Sequence, residues 1–318
     1  MARRSAIGAA GLALAIVCAA CTACTAGRSP PGPASAGDAG PGVITVGSFD
    51  FPESVLLAHL YAGALSARGY PARVLPDLGS RELVEPALMT GLVQLVPEYT
   101  GSALEFVSLG RAHATADVVA TAAALANAMA GRGIVTARPA AAQDANAIVV
   151  TGATASRYRL RTISDLARAA PGLVFGGPPE CPERPDCLRG LRRTYGLRFR
   201  AFAALDAGGP LTRQALEAGD IGAALLFTTD PAIRARHLVE LADNRDLQPA
   251  ENVIPVLRLA TADRYGPRLL AALDAVSARL STDALTALNA QVELDGRDPR
   301  AVARSWLREH GLLRARAS

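Results

Sequence analysis

The sequence contains no lysine, and all 33 of its basic residues are arginines. It therefore cannot form a lysine Schiff base or a phosphate-binding loop that depends on lysine. It also has no G-x-S-x-G nucleophile elbow and no H-E-x-x-H motif, and its four histidines lie far apart. The sequence thus favours a protein that is not an enzyme and that holds neither a metal nor a cofactor.

Aromatic residues are also few, at 4% of the chain, so each ring is a candidate for a specific role. The formal net charge is only +4, and no run of five basic residues occurs, which argues against a nucleic-acid partner. Half of the 318 residues are hydrophobic, which is enough for a substantial core. This length favours two compact domains or one duplex α/β unit.

The N-terminal segment has the pattern of an export signal. Arg3 and Arg4 precede an apolar stretch from residue 6 to residue 20, which is too short to span a membrane. Small residues then precede Cys21 and Cys24, as in a bacterial lipobox, although the usual leucine three places earlier is absent. We expect acylation at Cys21 or, failing that, at Cys24; ordinary cleavage and secretion is the alternative.

These features predict how the N-terminal region is divided. Residues 1–20 would be a signal peptide, and residues 21–42, rich in Pro, Gly, Ser and Ala, a flexible lipoprotein tether. The mature protein would then lie outside the cytoplasm, anchored to the outer face of the cytoplasmic membrane. That compartment is oxidising, so Cys181 and Cys187 are expected to form a disulfide within a proline-rich loop.

Short apolar stretches alternate with helical patterns along the rest of the chain, which predicts a mostly parallel α/β fold. Pro52, Ser80, Thr115 and Asp298-Pro299 are the expected helix starts. We predict a discontinuous lobe 1 (43–147 plus 252–318) and an inserted lobe 2 (148–251). Two chain crossings between lobes would make a hinge around a ligand cleft.

Several motifs occur in the order typical of one family. They are GSFDFPES at 47–54, LGSR at 78–81, PEYTGS at 97–102, QDAN at 143–146, YGL at 195–197, FTTD at 227–230 and LAD at 241–243. This series, over about residues 44–313, resembles the glycine betaine, choline and osmoprotectant substrate-binding proteins of ABC importers. The resemblance implies a two-lobed type II periplasmic-binding fold, a monomer, and a receptor that delivers an osmoprotectant or related small solute to a membrane permease.

The resemblance also implies a set of ligand-binding residues. Tyr99 matches a tyrosine of the aromatic box that holds a quaternary ammonium, and Ser102 matches a hydroxyl that contacts the ligand's carboxylate. Phe227 replaces another box tyrosine, and Phe49 and Phe51 lie in the first cleft loop. The full candidate set is Tyr99, Ser102, Phe227, Phe49, Phe51, Ser48, Thr100, Asn146 and Arg184.

The sequence departs from the family pattern at places that matter for the ligand. Asn146-Ala147 and Pro249-Ala250-Glu251 stand where the family has box tyrosines, and Ser54 replaces a glutamine. The aromatic box is therefore expected to be incomplete, with weak betaine binding or a bulkier solute. Each phenylalanine could instead serve packing, and Arg184 could form a structural ion pair. A sensor, or an enzyme on the same scaffold, remains an alternative function.

Overall fold

Strands and helices alternate along residues 42–313, which are the residues that the computed structural model describes. The expected signal peptide, tether and lipidation sites lie outside them. The strands are β1 Ile44–Gly47, β2 Ala72–Leu75, β3 Leu95–Tyr99, β4 Ile134–Thr136, β5 Asn146–Thr151, β6 Val174–Gly177, β7 Ala201–Ala204, β8 Ala223–Phe227, β9 Leu238–Glu240 and β10 Val253–Arg258.

The α-helices of the same residues cover the faces of the sheets. They are α1 Pro52–Ala67, α2 Arg81–Thr90, α3 Thr100–Val107, α4 Val118–Ala130, α5 Gly152–Tyr158, α6 Leu188–Tyr195, α7 Pro210–Ala218, α8 Pro231–Ala235, α9 Leu259–Tyr265, α10 Pro267–Ser277, α11 Thr282–Glu293 and α12 Pro299–Glu309. Within the described range, none of these helices has the length and apolar character needed to cross a membrane.

The strands form two five-stranded sheets with matching topology, in the orders β2-β1-β3-β10-β4 and β7-β6-β8-β5-β9. In each sheet one strand runs against the others, β10 in the first and β5 in the second. The remaining neighbours pair in parallel. The α/β class predicted from the sequence is thus confirmed, but the sheets are mixed, since four of the eight strand pairings are antiparallel.

The two reversed strands are those that follow the chain's passages between the sheets. Residues 137–145 lead into β5, and residues 241–252 lead back into β10. The two passages pair with each other: Asp144 N donates to Glu251 O at 3.0 Å, and Gln143 and Asn252 form an isolated bridge. Two paired crossing segments are the arrangement expected of a hinge. We call the part built on the first sheet lobe 1 and the part built on the second sheet lobe 2. The lobe boundaries predicted from the sequence, at residues 147–148 and 251–252, lie within two residues of the ends of these passages and stay a prediction.

Each lobe has its own apolar core, which makes it a stiff body. In lobe 1, α1 packs against α10 and α12, and the buried Tyr61 hydroxyl is satisfied by Ser277 at 3.0 Å. In lobe 2, buried residues such as Phe175 and Val149 pack on opposite faces of the sheet. Close-packed interiors deform little, so the relative motion available to the chain lies in the crossing segments.

The helix starts agree with the sequence except at α4. Pro52 is the first residue of α1, and Asp298 caps α12 by accepting from Ala301 N at 3.0 Å. The expected start at Thr115 is wrong: α4 begins at Val118, and Asp117 caps it by accepting from two backbone N–H groups at 2.9 and 3.0 Å. Thr115 instead pairs with Thr121, which fixes the turn before the helix.

Candidate ligand-binding site

A cavity of about 1010 Å³ lies between the two lobes. Lobe 1 lines it with the loop after β1 and the starts of α2 and α3, and lobe 2 lines it with the loop around Cys181–Cys187, α6 and the end of β8. This volume is at the upper end of the range for small-molecule sites, which are ~300–1,000 Å³. We call this cavity the cleft.

Four rings meet at the inner end of the cleft. Phe51 is at the centre, with its ring centroid 5.3 Å from Phe227, 6.2 Å from Tyr99 and 5.8 Å from Phe49. Phe227 ends β8 in lobe 2, whereas the other three rings belong to lobe 1. We call these residues the aromatic cluster, and it bridges the lobes at the base of the cleft.

The backbone beside Phe227 is shaped to receive its ring. Gly208 has a φ of +64°, which favours glycine, and a Cβ atom there would lie 2.7 Å from the Phe227 ring. Any larger residue at this position would both strain the backbone and displace the ring. Phe227 is half-buried, so part of its surface remains open to the cleft.

A buried polar network behind the rings fixes Tyr99. The Tyr99 hydroxyl donates to Glu53 Oε1 at 2.6 Å, while Thr229 and Asn289 donate to Glu53 Oε2, each at 2.5 Å. Burial, together with the neighbouring Glu53 carboxylate, raises the pKa of Tyr99 well above its ordinary value, so the hydroxyl stays a donor. The tyrosine ring is thereby held in one orientation at the cleft.

The same network contains a second carboxyl group, Asp144, from the first crossing segment. Thr229 Oγ1 lies 2.5 Å from Glu53 Oε2 and 2.8 Å from Asp144 Oδ1, yet a hydroxyl has only one proton to donate. Burial and the charge of Glu53 raise the pKa of Asp144 well above its ordinary value. A protonated Asp144 that donates to Thr229 satisfies all three groups.

The start of α3 holds a carboxylate of the protein itself. Glu251 accepts from Gly101 N at 3.0 Å, from Ser102 N at 2.9 Å and from Ser102 Oγ at 2.6 Å. The side chain is 3% exposed, yet it contributes to the cleft wall. Burial is the main cause that raises the pKa of Glu251 to about 8, and Asp186 adds to it. The Ser102 hydroxyl, expected to hold a ligand carboxylate, is engaged by this side chain.

Two further candidates lie in lobe 2 at the cleft wall and bind protein groups. Asn146 donates to Asp186 Oδ2 at 2.8 Å. Arg184, in lobe 2, donates to Glu82 of lobe 1 at 2.6 Å, and its guanidinium lies 5.4 Å from the centre of the Phe106 ring. Arg184 therefore connects the two lobes across the mouth of the cleft.

Ser48 and Thr100 point into lobe 1 and do not line the cleft. Ser48 Oγ accepts from Asp77 N at 3.0 Å and donates to Phe49 O, and Thr100 Oγ1 donates to Ala250 O at 2.8 Å. Both side chains are fully buried. They position the two loops that carry the rings rather than face a solute.

The loop between β6 and α6 is closed by a disulfide between Cys181 and Cys187, whose Cα atoms are 5.3 Å apart. Both cysteines are buried, and Cys187 directly precedes α6. Gly190 lies so close to the Pro185 carbonyl that no side chain could fit there. The disulfide and this contact fix the loop that forms the lobe 2 wall of the cleft.

Acidic side chains outnumber basic ones around the cleft. Nine carboxylic residues and five arginines line it. In residues 42–313, none of the ion pairs involves Asp186 or Glu105 of the cleft wall. A cleft lined mainly by one sign of charge attracts solutes of the other sign, here cations. The same residues contain no group of three or more side chains suited to hold a metal ion.

Two stiff lobes, a pair of crossing segments and a ring-lined cleft define a two-lobed solute-binding protein. The chain belongs to the family of substrate-binding domains of ABC-type glycine betaine transport systems, whose model matches residues 42–309. Members of this class bind a small solute and work with the membrane subunits of an ABC importer.

Relatives agree with this assignment, and a solved structure agrees with the fold. The chain is 30% identical to the glycine-betaine-binding protein of Pseudomonas aeruginosa, over 88% of this chain and 91% of that protein. It is 27% identical to the glycine betaine-binding protein YehZ of Escherichia coli, over 84% and 90% of the two chains. The fold matches a crystal structure described as a glycine betaine/carnitine/choline ABC transporter, with a TM-score of 0.68, 23% identity, and coverage of 85% and 99%.

Three buried acids of the site were not among the residues predicted from the sequence. Glu53 follows the first cleft loop, Asp144 lies in the first crossing segment, and Glu251 lies in the second. One signal could have pointed to Glu251, because this residue stands in the segment where the family has a ring that this chain lacks. Nothing in the sequence indicates that its carboxylate reaches residues 101 and 102, which are about 150 positions away.

Proposed function

We propose that this protein captures a quaternary ammonium solute in the cleft and presents it to the membrane permease of an ABC importer. The observation that carries the proposal is the aromatic cluster at the base of a cleft that is lined by more carboxylic side chains than arginines. A desolvated cation over an aromatic face gains up to ~2 kcal/mol, and an alkylated ammonium has no N–H groups that need hydrogen-bond acceptors.

The rings that would contact the solute belong to both lobes, so solute binding should favour closure of the lobes. Phe227 belongs to lobe 2, and Phe51 and Tyr99 belong to lobe 1, so a cation among them contacts both lobes at once. A solute that gains contacts only when the lobes are together shifts the population toward the closed form. We infer that this closed form is the one that docks on the permease.

Calorimetric titration of the purified protein with choline, glycine betaine and carnitine tests the proposal. We expect at least one of them to bind, and Phe51→Leu and Phe227→Leu each to weaken that binding at least about tenfold, because leucine keeps apolar volume but loses the ring. Phe202→Leu is the matched control, since Phe202 is a half-buried ring of lobe 2 outside the cleft wall. Absence of binding by all three solutes, or unchanged binding in both ring variants, would overturn the proposal.

We further propose that the chain is exported and anchored by acylation at Cys21, or failing that at Cys24. Support comes from the charged and apolar N-terminal pattern and from the family, whose members work beside membrane subunits. Replacing both cysteines with serine should move the protein from the membrane fraction to the soluble fraction. Retention of the double variant in membranes would contradict the acyl anchor.

We also propose that the cleft serves binding rather than catalysis and that the protein acts as a monomer. The family supports the first point, because the matched domain is a substrate-binding domain. Incubation of choline with the protein, followed by mass spectrometry, should return choline unchanged. Sedimentation should give the mass of a single chain.

A further inference from the structure

The start of α3 would be the natural place in this cleft for the anionic group of a solute. The backbone N–H groups of Gly101 and Ser102 point out of the first turn, and the Ser102 hydroxyl lies beside them. The N-terminus of a helix favours negative charge, because its first N–H groups lack partners in the helix and carry partial positive charge. In this structure Glu251 takes all three of these donors.

The backbone on both sides of Glu251 is fixed to the same turn. Thr100 Oγ1 donates to Ala250 O at 2.8 Å and accepts from Asn252 N at 3.1 Å. A Cβ atom on Gly101 would lie 2.6 Å from Pro249 and 2.9 Å from Ala250 O, so this close approach requires glycine. The carboxylate is therefore held at the helix start by the packing of its own segment.

The Glu251 carboxyl group has no ion-pair partner within the described part of the chain. Arg81, whose charge favours the ionised form of Glu251, makes two bonds of 2.9 Å to Glu98. The acidic neighbour Asp186 faces Glu251 from lobe 2 and opposes its ionisation. A cation in the cleft would favour the ionised form of Glu251 and offset the charge of Asp186, whereas the carboxylate of a solute would oppose that ionisation.

Glu251 lies close to Tyr99 of the aromatic cluster. Val253 pairs with Tyr99 in the β10–β3 ladder, so Glu251 lies two residues before the partner of a cluster tyrosine. Side chains two residues apart along an extended chain point to the same side. The carboxylate and the tyrosine ring therefore belong to one region of the cleft wall.

Building on the proposed function, we propose that Glu251 sets the class of solute. It takes the place of a ligand carboxylate, and the cleft thereby selects quaternary ammonium cations that have no carboxylate of their own. Choline represents this class, and glycine betaine represents the zwitterions that Glu251 disfavours. Glu251 is thus a specificity-determining residue of the cleft.

Calorimetric titrations of choline and glycine betaine into the wild type and the Glu251→Gln variant test this. We expect wild-type protein to bind choline at least about tenfold more tightly than glycine betaine, a difference of about 1.4 kcal/mol. In Glu251→Gln, choline should weaken by about tenfold and glycine betaine should not, so the ratio falls to near one or reverses. Asp283→Asn is the control, because it removes an exposed carboxylate of α11 outside the cleft wall and should keep the wild-type ratio.

The outcomes separate this proposal from the one on which it rests. Glycine betaine binding that equals or exceeds choline binding in wild-type protein overturns the role of Glu251 and leaves quaternary ammonium binding intact. An unchanged ratio in a folded Glu251→Gln variant, checked by circular dichroism, does the same. Failure of both solutes to bind overturns both proposals. The wild-type ratio decides the matter even if the variant does not fold.

Discussion

Two ion pairs join the lobes, and they differ in their exposure to water. Behind the aromatic cluster, Arg213 of α7 contacts Glu293 of α11 at 2.6 Å and Asp230 at 2.9 Å, and the three side chains are at most 10% exposed. At the mouth of the cleft, Arg184 contacts Glu82 at 2.6 Å, but the Glu82 side chain is 48% exposed. Water competes for the second pair far more than for the first, so the second pair is the easier of the two to break.

The largest expected effect comes from breaking the buried pair. Arg213→Ala leaves Asp230 and Glu293 without their cation in a site with little water, so the free energy of unfolding should fall by about 3 kcal/mol. Urea unfolding followed by circular dichroism measures this. Arg236→Ala, which breaks an exposed pair with Glu217, should change stability by less than about 1 kcal/mol. Similar losses of stability in Arg213→Ala and Arg236→Ala would contradict the claim that the buried ion pair contributes more than the exposed one.

The next largest effect is a pH dependence of stability, which comes from buried carboxyl groups that form no ion pair with an arginine in the described residues. Neither oxygen of Glu85 has a hydrogen-bond partner within the described residues, and burial together with the nearby Glu98 raises its pKa from 4.5 to about 8. The folded protein then holds more protons than the unfolded chain between these values. Stability should therefore fall as pH rises through this window, by about 1.4 kcal/mol per pH unit for each such group.

Glu85→Gln isolates this contribution. The variant should lose less stability than the wild type between pH 5 and pH 8, because the amide does not titrate. Thermal unfolding at several pH values provides the measurement, with Glu309→Gln on the surface of α12 as the control that keeps the wild-type slope. A wild-type stability that rises steadily over this range would show that Glu85 and Glu251 are ionised at little cost.

The smallest effect on stability is expected at the cleft mouth. Arg184→Ala removes an exposed ion pair and a contact with Phe106, so the free energy of unfolding should change by less than about 1 kcal/mol. The rate of solute release should nevertheless rise a few-fold, because the closed form loses a contact across the cleft. Stopped-flow fluorescence measures the release rate. A large loss of stability with an unchanged release rate would contradict the claim that this ion pair stabilises the closed form of the cleft.

Local signals predicted much of the fold. The strands β1 and β5 are apolar stretches, Pro52 and Asp298 mark helix starts, and the order of motifs indicates two lobes. The helix α6 is not evident from its sequence, LRGLRRTY, because only Gly190, Leu191 and Tyr195 are buried. The expected helix start at Thr115 is wrong because a better acceptor, Asp117, follows two residues later.

The site was predicted less completely than the fold, and the reason is long-range geometry. The rings of Tyr99, Phe51 and Phe227 come together as the motifs imply. The role of Glu251 depends on the pairing of β10 with β3, which brings residue 251 to the start of α3. Local sequence signals do not specify a contact between segments so distant in the chain, and the register of the sheet decides it.

The central claim is that the cleft recognises the positive charge of its solute. Choline and its uncharged isostere 3,3-dimethylbutanol have nearly the same shape, so their comparison isolates that charge. Calorimetric titration at one pH should give a Kd for the isostere at least about a hundredfold weaker than for choline, because it loses both the ring and the carboxylate attraction. Equal affinities for the two compounds would contradict the account.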